Sequence, residues 1–222
     1  MKKTTVPSIE EQAKYVISQL NTFEDYLLML SGGKSPGELY FQMASDKNFK
    51  VPHDVAQVDE RCGHPPMHAN SNYKFIKDSG LIVRIEREGK EWHPMLIGQN
   101  TFEKTAALYD SKLSNLFVEY SGRIVGIFGM SLDGHVAGIT EGSIGSTSDD
   151  LVVGYVSGDQ YKERITLTLN AIRNHVTTSF ILLNSNEKIE AFNKYMKEDD
   201  VNKYPIVAFK YMEDVEVISI PQ

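Results

Sequence analysis

Cysteine is almost absent from this chain: Cys62 stands alone among 222 residues. An internal disulfide is therefore excluded, and the chain fits a reducing compartment. Long apolar runs are missing as well. None approaches the ~18 residues that a bilayer-spanning helix requires, and the opening Met1-Lys-Lys-Thr-Thr-Val-Pro7 has no apolar signal core behind it. A cytoplasmic protein with no membrane partner is expected. Basic residues are in deficit, with 23 Lys and Arg against 30 Asp and Glu and a net charge of -7. That balance argues against a nucleic-acid partner, whose affinity rests on clustered cations. It leaves room for a small anion held in a locally positive pocket. The remaining composition, 41% hydrophobic and 24% charged, is ordinary for a folded domain. No internal repeat and no compositional break interrupts it, so one domain over residues 1–222 is expected.

The stretch Gly122-Arg-Ile-Val-Gly-Ile-Phe-Gly-Met-Ser-Leu-Asp-Gly-His135 draws the eye first. Ile124, Val125, Ile127 and Phe128 read as a strand buried on both faces, which breaks at Gly129 into a loop ending Asp133-Gly134-His135. Open α/β sheets bind ligands beyond the carboxyl ends of their strands, which makes His135 the first candidate for chemistry, with Asp133 beside it. Asp-Gly pairs also mark ordinary turns, so the loop gains its weight from the rest of the chain.

Ser8–Leu20 has the apolar spacing of an amphipathic covering helix. Tyr26-Leu-Leu-Met-Leu30 is a short apolar strand running into Ser31-Gly-Gly-Lys-Ser-Pro36, with a helix from Pro36 through Met43. This is an anion cradle in outline: Gly32 and Gly33 let backbone N–H groups approach a phosphate, and Lys34 and Ser35 add an ammonium and a hydroxyl. The spacing is neither that of a Walker loop nor GxGxxG, and a tight strand-to-helix connection is the competing reading. Val55–Arg61 reads as a second strand whose end carries Asp59, Glu60 and Arg61 at the same sheet edge. Cys62, His64 and His68 do not make a metal site, because Pro65 and Pro66 forbid the helix that would align the histidines and no paired cysteines complete the ligand set.

Residues 81–99 read as a strand and an irregular connection, with His93 structural. Asn100 and Glu103 have capping-box spacing at the start of a helix carrying Phe102, Ala106, Tyr109, Leu113, Leu116 and Phe117 on one face. The Gly/Ser/Thr-rich residues 136–150 predict a mobile loop at the site mouth. Leu151–Val156 is a strand. Arg164 is expected at the entrance of a helix bearing Ile172 and Val176, where a cation faces a ligand anion. Phe180–Leu183 is a strand, Glu187–Lys197 a helix, and Ile206–Phe209 and Val215–Ile220 are closing strands. Helices alternating with apolar strands predict an α/β fold with a doubly wound, mostly parallel sheet flanked by helices.

Five stretches in this order resemble one family, the 6-phosphogluconolactonases and their relatives the glucosamine-6-phosphate isomerases/deaminases. They are Ser31-Gly-Gly-Lys-Ser-Pro36, Val58-Asp-Glu-Arg61, Ser71-Asn-Tyr73, Gly129-Met-Ser-Leu-Asp-Gly-His135 and Arg164-Ile-Thr-Leu-Thr-Leu169. The resemblance implies a single Rossmann-like domain that binds a phosphorylated sugar, with the Ser-Gly-Gly loop on the phosphate and the Asp-Gly-His loop at the sugar C1 end. The second, third and fifth stretches are similar to the lactonases. Three departures stand out: Thr140-Glu-Gly142 replaces the family's Phe-Pro-Gly, Asp159-Gln-Tyr-Lys162 replaces a lysine-containing stretch before the arginine, and Lys34 replaces a small hydroxyl residue. Lys34 or Lys162 is then expected to supply the missing cation.

The implied reaction is hydrolysis of 6-phosphogluconolactone to 6-phosphogluconate in the pentose phosphate pathway. In it neutral His135 is the general base on water, Asp133 orients it, and Arg61 and Arg164 clamp the phosphate with the Gly32 and Gly33 N–H groups. No metal or redox cofactor is called for, and a monomer or homodimer is expected. Two alternatives stay open. A glucosamine-6-phosphate isomerase or deaminase would use Asp59 as the carbon base, with Glu141 beside the position where that branch carries a glutamate. A non-catalytic sugar-phosphate-binding regulatory module would keep the pocket alone.

Overall fold

The computed structural model describes residues 1–61, 69–97, 101–158 and 161–221. In chain order the elements are β1 (Lys2–Thr5), α1 (Ile9–Leu20), β2 (Leu27–Leu30), α2 (Gly37–Ser45), β3 (Asp54–Gln57), β4 (Asp59–Arg61), α3 (Asn72–Asp78), α4 (Leu81–Arg87), β5 (Glu91–His93), α5 (Phe102–Glu119), β6 (Ile124–Gly129), β7 (Val152–Val156), β8 (Glu163–Leu167), α6 (Leu169–His175), β9 (Thr178–Leu183), α7 (Asn186–Tyr195) and β10 (Asp214–Ser219), with 3-10 turns at Ile144–Ser146 and Pro205–Tyr211.

Seven strands form one sheet in the order β1-β10-β9-β6-β2-β3-β5, every neighbouring pair parallel. Helices cover both faces, so each inner strand is apolar on both sides. Leu27 and Met29 of β2 face one core layer with α5 and α6, whereas Leu28 and Leu30 face the other with α1, α2 and α4. The chain runs outward from β2 to β3 and β5 on one side, and from β6 to β9 and β10 on the other. A crevice therefore opens between the loops that leave β2 and β6, the place where a doubly wound sheet receives its ligand.

The second sheet, β4-β8-β7, is antiparallel and has no counterpart in the expected fold. The apolar run beginning at Val55 does not continue through Arg61. Val58 crosses between sheets: its N–H donates to Leu30 O (2.9 Å) while its carbonyl accepts from Leu167 N (2.9 Å). Asp59, Glu60 and Arg61 thereby form a strand of their own. Arg164 lies inside β8 opposite Arg61, not at a helix entrance; α6 begins at Leu169.

Three further expectations change. Leu81-Ile-Val-Arg-Ile85 is helix α4, not strand: Leu81, Ile82 and Ile85 are buried while Val83 is 56% exposed, which is a helical face and not an alternation. The buried Arg84 guanidinium donates to the carbonyls of Met43, Asp46 and Phe49 at 2.6, 2.5 and 2.8 Å, fixing that face. Pro205–Tyr211 is a 3-10 turn, because Ile206, Val207, Ala208 and Phe209 are buried together and a continuous apolar run carries no period to distinguish turn from strand. The cap of α5 is Thr101, whose hydroxyl accepts from Lys104 N. Asn100 lies outside the described residues, as do Cys62, His64, Pro65, Pro66, His68 and Asp159.

Candidate active site

The first wall of the crevice is the loop after β2. Ser31 N–H donates to Ile127 O (3.2 Å), prolonging the β2–β6 ladder by one residue before the chain turns. Gly32 follows, and a Cβ there would fall 1.9 Å from Asn72 Cγ, so only glycine fits. Its N–H meets Asp59 Oδ1 at 3.3 Å. Gly33 has φ +85. The N–H groups of Gly33, Lys34 and Ser35 have no acceptor among the described residues, and they lie just ahead of the α2 N-terminus. Lys188 reaches in from the first turn of α7, its ammonium 2.5 Å from Ser35 Oγ. Burial lowers the Lys188 pKa.

The opposite wall is β4 against β8. Alternation along a strand sends Asp59 and Arg61 to one face and Glu60 to the other. Asp59 and Arg61 line the crevice. Glu60 points away and accepts from Gln57 Nε2, Arg61 N, Ser71 Oγ, Asn72 N and Tyr73 N, which ties α3 to β4. Burial raises the Glu60 pKa against those N–H donors, yet five donors with no acceptor describe a carboxylate. Asp59 Oδ2 accepts from Asn72 Nδ2 at 2.8 Å. Arg61 and Arg164 are cross-strand partners. Like charges placed directly opposite repel, and a bound anion relieves that repulsion. The Tyr161 ring lies 4.0 Å from the Arg61 guanidinium and 5.8 Å from that of Arg164.

The floor is the loop after β6. Ser131 N donates to His135 O (3.1 Å) and Gly134 N to Ser131 O (3.0 Å), closing a tight turn that needs φ +88 at Gly134. Behind it, Tyr195 OH donates to Leu132 O (2.6 Å) and Ile206 N to Gly134 O (3.0 Å). His135 Nδ1 is 2.9 and 3.1 Å from the two Asp133 oxygens, and its backbone N–H also meets Oδ1. The hydrogen bond from His135 holds the Asp133 pKa down to about 2 against the opposing effect of burial. An ionised carboxylate accepts, so Nδ1 carries a proton, and the neutral form of the ring presents its lone pair at Nε2. Ser131 Oγ lies 3.0 Å from that Nε2.

These walls enclose a cavity of about 790 Å³ that collects Ser31, Gly32, Gly33, Lys34, Ser35, Asp59, Arg61, Asp133, His135 and Arg164, all of them candidates taken from the sequence. It also holds Ser131, Asn72, Tyr161 and Lys188, which sequence reasoning did not single out as working residues. Lys162 does not line it. Lys188 left a signal: a lysine in the first turn of a helix opposes the helix dipole, a position that suits a cation only when an anion is near. Thr140 is occupied elsewhere, its hydroxyl 3.0 Å from Tyr155 OH, and the exposed Glu141 is outside the lining. Val136 and Ile139 are fully buried, and Gly138 N donates to Thr166 Oγ1 (3.0 Å), so the start of the 136–150 segment is anchored in the core. Among the described residues no group of three or more His, Cys, Asp or Glu is arranged to hold a metal ion, and no helix is long and apolar enough to cross a membrane.

Known proteins are similar to this chain in sequence and in fold. The chain is 25% identical over 214 residues to the 6-phosphogluconolactonase of Thermotoga maritima, covering 92% of this chain and 94% of that one. It is 30% identical over 172 residues to the GDH/6PGL endoplasmic bifunctional protein of Oryctolagus cuniculus, covering 74% of this chain but only 21% of that longer protein. In fold it is similar to a 6-phosphogluconolactonase from Shewanella baltica OS155, with a TM-score of 0.84 at 23% identity over 100% of this chain and 98% of that one. The sequence profile described as glucosamine-6-phosphate isomerases/6-phosphogluconolactonase matches residues 1–218. With the match extending over all the walls of the cavity, the chain belongs to the glucosamine-6-phosphate isomerase/6-phosphogluconolactonase family.

Proposed function

We propose that this chain hydrolyses 6-phosphogluconolactone to 6-phosphogluconate, as a cytoplasmic enzyme of the pentose phosphate pathway built from one sugar-phosphate-binding domain. The observation that carries the reading is the pairing, in one cavity, of an imidazole oriented by Asp133 with a set of cationic side chains at the opposite wall. The free N–H groups of Gly33, Lys34 and Ser35, with Lys188, Arg61 and Arg164, hold the phosphate; Ser31 and Gly32 shape the loop. Holding the remote phosphate fixes the lactone carbonyl against His135, which converts binding into positioning. His135 Nε2 is the general base for ring opening, an effect of about 10²–10⁴-fold.

Asp59 is engaged at both oxygens by Gly32 N and Asn72 Nδ2, so we assign it to holding the glycine loop against β4. The deaminase alternative needs Asp59 as a carbon base and an acid near residue 140. Thr140 bonded to Tyr155, and Glu141 outside the cavity, favour the lactonase. The test is hydrolysis of freshly generated 6-phosphoglucono-δ-lactone, corrected for spontaneous opening, by the native protein and by His135→Ala. Turnover that collapses in the variant is expected. No rate above background from folded native protein would sink the reading, and ammonia release from glucosamine 6-phosphate would replace it with the deaminase.

A further inference from the structure

Arg61 and Arg164 bring two guanidinium groups to the same cavity wall, directly opposite each other across the β4–β8 pair. Arg164 is only 4% exposed, so little water screens its charge from that of its neighbour. Two contacts hold Arg61 in this position. Its Nη1 donates to Asn70 O at 3.0 Å, and its guanidinium carbon lies 4.0 Å from the centre of the Tyr161 ring. The same ring is 5.8 Å from the Arg164 guanidinium. Both distances are within the range at which the negative face of an aromatic ring attracts a cation. Tyr161 stands three residues before Arg164, just ahead of β8, and lines the cavity where the adjacent Lys162 does not. A third cation in this place would add to the repulsion within the pair; an aromatic ring opposes it.

We propose that Tyr161 is a positioning residue, whose ring holds Arg61 and Arg164 together as a two-pronged clamp for the substrate phosphate. This rests on the lactonase reading and adds the residue that prepares the clamp. Arg61 is the last residue of β4, half-buried and carried on a long side chain. Without the ring, repulsion from Arg164 favours rotamers that take the Arg61 charge out towards solvent. A phosphate would then have to order that side chain as it binds, and the ordering weakens binding. A guanidinium that lies over a ring keeps its in-plane N–H donors for oxygen acceptors, so the contact with Tyr161 does not compete with the phosphate. The ring therefore acts on affinity for the phosphorylated end of the substrate and leaves the chemistry at His135 untouched.

The experiment compares the full chain as native protein, Tyr161→Leu and Tyr161→Phe. Calorimetry measures the Kd of 6-phosphogluconate, and steady-state kinetics measure KM and kcat for the lactone. Tyr161→Leu removes the ring and keeps apolar bulk. It is expected to raise Kd and KM together by about 3–30-fold, the worth of one cation–π contact, with kcat within about twofold of native. Tyr161→Phe keeps the ring and is expected to keep the native Kd. A Leu variant with unchanged Kd and KM overturns the clamp. A Phe variant as weak as the Leu variant also overturns it, by moving the role to the hydroxyl, and so does a fall in kcat at constant KM. Native protein that binds 6-phosphogluconate in a Tyr161-dependent way without hydrolysing the lactone retires the lactonase reading and keeps the clamp. Lactone turnover with a KM indifferent to Tyr161 keeps that reading and overturns the clamp, and a protein that neither binds nor hydrolyses overturns both.

Discussion

The Lys188 ammonium lies 2.5 Å from Ser35 Oγ and joins the start of α7 to the loop that precedes α2. Two helix N-termini and a lysine thus converge on one point. Lys188→Met is expected to raise KM for the phosphorylated lactone about 10–100-fold with a smaller change in kcat, the loss of one charge-assisted contact of about 1.5–3 kcal/mol. Burial lowers the Lys188 pKa, so its charge is lost at a lower pH than for an exposed lysine. KM should therefore begin to rise at moderately alkaline pH in the native protein, and this limb should vanish in the variant. An unchanged KM–pH profile would remove Lys188 from the phosphate site.

Asp133→Asn keeps the shape of the loop but removes the carboxylate that fixes the imidazole tautomer. A drop in kcat of about 10–100-fold is expected, milder than for a fully buried orienting acid because the Asp133 side chain is 68% exposed. With a pKa of about 2, Asp133 stays ionised through any practical assay range. The acid limb of the native pH–rate profile should then persist in Asp133→Asn at reduced height; its disappearance would assign that limb to Asp133.

Gly134 has φ +88, and a Cβ there would meet the Tyr195 and Tyr204 rings at 3.1 and 3.2 Å. Gly134→Ala should cost about 1–3 kcal/mol in stability through backbone strain and crowding. Because the same turn carries His135, kcat should fall more than the loss of folded protein explains. Calorimetry and kinetics on one preparation separate the two effects.

Asp54 sits at the far end of the sheet from the cavity. Its Oδ1 meets His93 Nε2 at 2.5 Å, and its Oδ2 meets Tyr120 OH at 2.5 Å and His53 Nδ1 at 2.7 Å. Burial pushes the Asp54 pKa up, and the bonds from Tyr120, His93 and His53 outweigh it, so the folded value lies below the ordinary one. The resulting stabilisation is complete above the unfolded carboxylate pKa of about 3.9 and disappears as pH falls through the lower folded value. Asp54→Asn should cost about 3 kcal/mol at neutral pH, with the gap to native protein narrowing at about pH 3. Urea titrations at both values decide it, and a constant gap would mean that the charge of Asp54 contributes nothing.

The parts of the site that were legible in the sequence are those built from consecutive residues. The glycine loop and the Asp-Gly-His turn carry their geometry with them, because left-handed backbone and close approach demand glycine wherever they occur. What escaped notice depends on distant partners. Nothing local in Val55–Arg61 reveals that Val58 changes sheets, since the turn is created by Leu30 on one side and Leu167 on the other. Helix α4 opens with a run of β-branched residues whose strand preference loses to the burial of Leu81, Ile82 and Ile85. Lys188 reaches Ser35 of the glycine loop across 153 residues of chain. Ser131 was in plain view inside the motif, but its contact with His135 depends on the orientation of an imidazole four residues later.

The pairing of β1 with β10 sets the order in which this sheet assembles. Thr4 and Glu216, bonded across that edge, are separated by 212 residues, so the loop-closure entropy of nearly the entire chain opposes the contact until the intervening strands are in place. On a ribosome the first strand emerges long before its partner exists and must wait, while the interior strands β2, β3 and β6 already have neighbours to pair with. The edge farthest from the glycine loop is thus the last to close, and the cavity walls can form before the polypeptide is finished.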